Sequence, residues 1–89
     1  MQQKDLRIIN KLGLHARAAA KFVTLASQFA CDVQVARGTQ EVNGKSIMGI
    51  MMLAASQGTI ITLTTDGPDE VEAMERLEQL VNDRFEEAE

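Results

Sequence analysis

The only histidine of this 89-residue chain, His15, lies two positions before Arg17 in the stretch NKLGLHARAAAKF. Imidazole is a nitrogen nucleophile with an ordinary pKa of ~6.5, so much of it is neutral near neutral pH. It accepts a phosphoryl group without a second base to activate it. Arginine is a permanent planar cation that pairs with phosphate oxygens. The pair therefore indicates phosphate chemistry, and the alternative is a loop or helix-capping histidine.

The residues after His15 predict a helix from Ala16 to Phe29, because apolar side chains recur there at steps of three and four. The first backbone N–H groups of a helix have no acceptor within it, and the helix dipole places positive charge at the same end. Both features favour a bound anion. His15 would then lie beside a natural phosphate site.

Other kinds of site are poorly supported. Metal binding lacks a second histidine, and Cys31 lies sixteen positions from His15 without ligand spacing. No catalytic triad is visible. The NGKS stretch fails as a phosphate-binding P-loop, because that motif needs glycine where Thr39 stands. We expect Cys31 to be a small buried hydrophobe.

Composition and charge narrow the class of protein. Hydrophobic residues make up 45% of the chain, and the length suits one domain, residues 1–89. No run is long enough to span a bilayer, and no signal peptide is visible, so we expect a cytoplasmic protein without membrane insertion. The net charge of −4 and the three aromatic residues argue against nucleic-acid binding. The acidic residues after Gly67 are interpreted as a solvated helix face.

The coarse order of elements is strand, helix, strand, strand, helix, strand, helix. The first strand is predicted at 5–10, a hairpin pairs CDVQVARG with QEVN, and 59–66 is a β-branched strand. Ser46 is predicted to cap a short helix that buries Ile47, Ile50 and Leu53. The last helix follows Pro68, and its predicted apolar stripe comprises Val71, Met74, Leu77, Val81 and Phe85. This order predicts an α+β fold, a four-stranded antiparallel sheet with three helices on one face.

Two motifs together resemble a known family. LGLHARAAAKF followed by NGKSIMGIMMLAA is similar to the HPr-like phosphocarriers of the bacterial phosphoenolpyruvate-dependent phosphotransferase system, including the nitrogen-related NPr branch. The resemblance extends from Leu6 to about Phe85. It implies the open-faced βαββαβα sandwich, which agrees with the predicted order. The motifs do not decide between the sugar-transport and nitrogen-regulatory branches.

The resemblance implies a phosphoryl relay. The histidine matching His15 would take a phosphoryl group on Nδ1 from enzyme I and pass it to enzyme II A domains, assisted by Arg17. The N–H groups of Ala16, Arg17 and Ala18 would hold its oxygens. The family usually has proline where Ala18 stands, and alanine restores an N–H donor there. Such a carrier is a substrate of enzyme I without independent turnover, and it needs no cofactor or metal.

The resemblance also implies two further surfaces. Ser46 matches a serine that HPr kinase/phosphorylase phosphorylates in some bacteria. The exposed methionines of the second helix suit a surface that must fit several partners. We expect a partner-binding patch around His15 made of Leu14, Ala20, Lys21, Thr24, Lys45, Ile47, Met48 and Met51.

The sequence alone leaves two other functional classes open. One is a regulatory module that binds partners without carrying phosphate, and the other is a small-molecule anion-binding domain. Nothing in the sequence indicates an obligate oligomer, so we expect a monomer.

Overall fold

The computed structural model describes all 89 residues and contains four strands and three helices. The strands are β1 (Gln2–Arg7), β2 (Asp32–Arg37), β3 (Gln40–Asn43) and β4 (Ile60–Asp66). The helices are α1 (Ala16–Ala26), α2 (Ile47–Met52) and α3 (Glu70–Asn82), and a 3₁₀ turn follows at Arg84–Glu86. The order βαββαβα is the one predicted from the sequence.

All strand pairs are antiparallel, and the order across the sheet is β1-β4-β2-β3. The predicted hairpin is confirmed, because β2 pairs with β3 from Gln34 opposite Asn43 to Arg37 opposite Gln40. The two central strands alternate between buried and more exposed residues, as expected for a sheet covered on one face. The predicted α+β class, with its open-faced sandwich, is therefore confirmed.

The core lies between the covered face of the sheet and the helices. Its largest buried side chains include Phe22 of α1, Ile50 of α2, Leu77 of α3 and Leu63 of β4. On the other face, Thr62 Oγ1 donates to the Asp5 carboxylate at 2.7 Å and Gln3 donates to Thr64 Oγ1 at 3.1 Å. No helix has the length and apolar character required to cross a membrane.

Two predicted boundaries are wrong for local reasons. β1 is Gln2–Arg7 rather than 5–10, because its whole length pairs with β4 from Gln2 opposite Thr65 onward. α1 ends at Ala26 rather than Phe29, because the chain tightens there into shorter-range hydrogen bonds such as Phe29 N–H to Ala26 C=O. Phe29 is still buried.

Three predicted core positions need correction. Val71 is 54% exposed, and Ala73 takes its place on the buried face of α3. Phe85 is fully buried but lies beyond α3, in the 3₁₀ turn. Ile47 is exposed rather than buried, because it is the first residue of α2 and only Ile50 and Leu53 of the predicted three face the core.

Asp69 ties the start of α3 to the loop after α1. Its carboxylate accepts the N–H of Ala30 at 2.8 Å and the N–H of Cys31 at 2.9 Å. The bond from Ala30 lowers the pKa of Asp69, partial burial opposes that shift, and the bond from Cys31 adds to it. Cys31 is buried as predicted, and burial raises the pKa of its thiol.

This link predicts an acid-sensitive contribution to stability. Because the folded pKa of Asp69 lies below its ordinary value of 3.8, the stabilisation is complete above that value and disappears as pH falls through the lower folded pKa. We expect Asp69→Asn to melt at a lower temperature than the parent near neutral pH, and the difference to shrink towards roughly pH 2. Asp32→Asn, a change at an exposed aspartate, is the control in calorimetry. An Asp69→Asn difference that does not vary with pH would contradict this.

Candidate functional site

His15 is the residue that begins α1. It is the N-cap of the helix, with extended backbone angles, and its side chain makes no capping hydrogen bond. The first helical hydrogen bond runs from Ala19 N–H to the His15 carbonyl at 2.8 Å. The N–H groups of Ala16, Arg17 and Ala18 therefore have no backbone acceptor, as the sequence predicts for a helix start.

The turn before His15 is fixed by close backbone contacts. Gly13 has a φ of +64°, and a Cβ there would lie 2.5 Å from the Ala55 carbonyl oxygen. The next N–H, that of Leu14, donates to the same oxygen at 2.9 Å. Only glycine combines that backbone conformation with such a close approach. The segment after α2 thus positions the imidazole.

The imidazole is partly exposed and is paired with a carboxylate from the C-terminal segment. His15 Nε2 lies 2.5 Å from Glu87 Oε2, and 26% of the His15 side chain and 14% of the Glu87 side chain are exposed. The second carboxylate oxygen, Oε1, accepts a hydrogen bond from Asn10 Nδ2 at 2.9 Å. The Asn10 bond lowers the pKa of Glu87, partial burial opposes this, and His15 and Arg17 lower it further.

Glu87 reaches the site because the chain turns back after α3. Lys21 Nζ donates to the Phe85 carbonyl at 2.9 Å, and the N–H of Lys11 donates to the Glu89 carbonyl at 2.7 Å. Lys11 and Lys21 also approach the carboxylates of Glu89 and Glu86, at 3.4 and 3.9 Å. The acidic tail is thus not only a solvated helix face, since part of it folds against the basic residues around α1.

Arg17 is exposed and lies beside this tail. It borders a surface depression of about 470 Å³. The other lining residues are Lys11, Leu12, Lys21, Glu86, Glu87, Ala88 and Glu89. An open, charged surface of this kind suits a macromolecular partner better than a small-molecule ligand, because small ligands are usually enclosed by concave, mostly apolar walls.

The predicted partner-binding patch is only partly exposed. Met48 is 76% exposed, Ile47 and Met51 are also exposed, and Thr24 of the neighbouring α1 is open to solvent. Ala20, Lys21 and Lys45 are half-buried. Leu14 is buried in the core and cannot form part of a surface patch, which corrects that prediction. Leu12 and Met52 are exposed instead.

Ser46 is the N-cap of α2, as predicted. Its Oγ accepts the N–H of Gly49 at 3.1 Å, and the side chain is half-buried. The neighbouring Lys45 donates from Nζ to the Phe29 carbonyl at 2.7 Å. Helix capping is therefore a sufficient structural role for Ser46, which also lies beside the exposed apolar face of α2.

Two residues of the site were missed by the sequence analysis. Asn10 was assigned to a strand, although its side chain is fully buried and bonds to Glu87 and the Gly13 carbonyl. Glu87 is one of ten acidic residues in the second half of the chain, and no spacing distinguishes it. Only the return of the chain beyond α3 brings it to His15.

Comparison with known proteins gives consistent matches. The model of the family described as "PTS HPr component phosphorylation site" matches residues 2–83. The phosphocarrier protein HPr of Neisseria meningitidis serogroup A is 57% identical over 89 residues, covering all of both chains. The crystal structure of HPr-C-His from Thermoanaerobacter tengcongensis superposes with a TM-score of 0.96 at 45% identity, covering all of both chains. The crystal structure of an HPr dimer from the same organism superposes with a TM-score of 0.79 at 46% identity, and the match covers 98% of this chain and all of that one.

Proposed function

This chain belongs to the HPr family of phosphocarrier proteins of the phosphotransferase system, and from that membership we propose that His15 carries the phosphoryl group. The observation that supports this most is the position of His15 at the start of α1, directly before three N–H groups without backbone acceptors and two residues before Arg17. The chain would act as one domain, residues 1–89, in a cytoplasmic relay.

In the proposed relay, enzyme I is the donor and enzyme II A domains are the acceptors. The lone pair of a ring nitrogen of His15 attacks phosphorus, and the bond from phosphorus to the donor nitrogen breaks with its electron pair returning to the donor. Arg17 and the N–H groups of Ala16, Arg17 and Ala18 stabilise the phosphoryl oxygens. Transfer to the acceptor repeats these steps in the opposite direction, so the protein is not itself a catalyst.

The charge at the site suits a reversible carrier. A transferable phosphoryl group needs moderate stabilisation, because a deep anion site would hold it. Arg17 and one helix end supply positive charge, while Glu87 supplies a negative charge that is hydrogen-bonded to the imidazole. The extra N–H donor that Ala18 provides in place of the usual proline adds to the positive side, and the alanine side chain itself is buried.

Phosphorylation of His15 can be tested directly. With phosphoenolpyruvate and enzyme I, we expect the protein to gain one phosphate that is labile in acid and stable in base, as detected by intact mass. His15→Ala should gain none while remaining folded. If the parent protein gains no phosphate, the result would instead support a partner-binding module or an anion-binding domain.

The exposed face of α2 is the proposed docking surface for enzyme I, together with the adjacent part of α1. Met48 is its most exposed apolar side chain. We expect Met48→Glu to slow phosphoryl transfer from enzyme I about 10-fold or more, because a desolvated carboxylate in an apolar contact costs binding energy. Val71→Glu adds the same charge to an exposed site on α3 and is the matched control. Equal rates for the two variants would exclude this face.

Ser46 is proposed as a second, regulatory phosphorylation site, recognised by HPr kinase/phosphorylase. A phosphoserine at the start of α2 would add close to two negative charges beside the docking surface and oppose an acidic partner. We expect the kinase and ATP to add one acid-stable phosphate to the parent and none to Ser46→Ala. Since Ser46→Ala also loses the cap, it should be less stable by about 1 kcal/mol in urea denaturation. An unmodified parent protein would refute the regulatory role.

A further inference from the structure

We propose that Glu87 is a positioning residue that holds the proton of neutral His15 on Nε2 and thereby leaves Nδ1 as the free nucleophilic nitrogen. Glu87 lies outside residues 2–83, the part of the chain that matches the family model. The effect of Glu87 on phosphoryl transfer rests on the proposed function of His15, whereas the tautomer of the ring is independent of that function.

The geometry of the pair assigns the proton. Nε2 of His15 lies 2.5 Å from Oε2 of Glu87, which is a short, charge-assisted hydrogen bond. An ionised carboxylate only accepts hydrogen bonds, so the ring nitrogen that faces it must be the donor. A neutral imidazole has one N–H and one lone pair. The lone pair is therefore on Nδ1, the other ring nitrogen.

Asn10 keeps the carboxylate in this orientation. Its Nδ2 donates to Glu87 Oε1 at 2.9 Å and to the Gly13 carbonyl at 2.8 Å. Because both partners are acceptors, the amide cannot be turned around without losing two hydrogen bonds. Asn10 is fully buried and its Oδ1 has no hydrogen-bond partner, a cost that the fold tolerates in order to hold these two bonds.

The backbone that delivers Glu87 is also fixed. Arg84, Phe85 and Glu86 have φ values of +57°, +54° and +64°, which place three consecutive non-glycine residues in the left-handed region. Such backbone is costly and persists only where its surroundings impose it. Here, full burial of Phe85 and the bond from Lys21 to its carbonyl impose it.

The carboxylate also suits the charge that develops during transfer. When Nδ1 attacks phosphorus, it forms the new N–P bond with its own electron pair and the donor nitrogen takes back the pair of the bond that breaks. The Nε2 proton stays on the ring, which becomes formally cationic until that proton is released. Glu87 lies beside that proton and compensates the charge, in the way that a buried aspartate supports an imidazolium in catalytic triads.

The tautomer can be measured without any partner protein. With a single histidine, ¹⁵N-labelled imidazole gives one pair of ring-nitrogen signals, which distinguish the two tautomers at a pH where the ring is neutral. We expect the parent to be almost entirely protonated on Nε2. Glu87→Ala should show a clear fraction protonated on Nδ1 and accept phosphate from enzyme I about 10-fold more slowly, as when an orienting group is removed from a histidine.

Two further variants separate positioning from structure. Glu75→Ala removes an exposed carboxylate on α3, away from the C-terminal segment, and should leave the tautomer and the rate unchanged. Glu87→Gln keeps the shape of the side chain without its charge, and we expect it to slow transfer as well. It replaces Glu87→Ala if that variant is too unstable to measure. A parent with a mixed or Nδ1-protonated ring, or Glu87 variants with the parent's tautomer and rate, would overturn the proposal. A parent that takes no phosphate would instead refute the proposed function while leaving the tautomer assigned.

Discussion

The first turn of α1 has three backbone N–H groups without acceptors, and the rest of the site is arranged around them. A helix must satisfy such groups with a side chain, water or a ligand. His15 precedes them but does not cap them, so they remain available to an anion. The burial of Phe22 holds α1 on the sheet, and the contact of the Gly13–Leu14 turn with the Ala55 carbonyl holds the histidine at the helix start.

The C-terminal segment provides a negative charge beside the imidazole. Lys11 and Lys21 approach the carboxylates of Glu89 and Glu86, and Glu87 is the carboxylate that bonds to the imidazole itself. With Glu87, one ring nitrogen, Nε2, faces a carboxylate and Nδ1 does not, so the two nitrogens have different surroundings. Such an arrangement fits a group that must take up a phosphoryl group and also release it. The net negative charge of the second half of the chain thus has a local use at the site.

The structural features that depend on local sequence pattern were predicted correctly. The helix start at His15, the Ser46 cap, the hairpin and the strand of β-branched residues all follow from spacing and residue type. The exposure of Val71 did not follow, because it depends on which side of α3 meets the sheet. The end of α1 at Ala26 did not follow either, because the buried Phe29 continues the apolar spacing although the chain tightens there into shorter-range hydrogen bonds. Leu14 was assigned to the surface because it lies in the turn before α1, where no helical spacing indicates that it is buried. The role of Asn10 and Glu87 was not predictable, since the two partners are 77 positions apart and come together only through the burial of Phe85 and the bonds from Lys11 and Lys21 to the C-terminal segment.

The measurement that tests the central claim most directly is NMR of the phosphorylated protein, observing ¹⁵N in the histidine ring and ³¹P in the phosphoryl group. After treatment with phosphoenolpyruvate and enzyme I, we expect the phosphorus to couple to Nδ1 of His15 while Nε2 shows no bond to phosphorus. Phosphorus bonded to Nε2 would contradict the part assigned to Glu87, and phosphorus on a residue other than His15 would contradict the site itself.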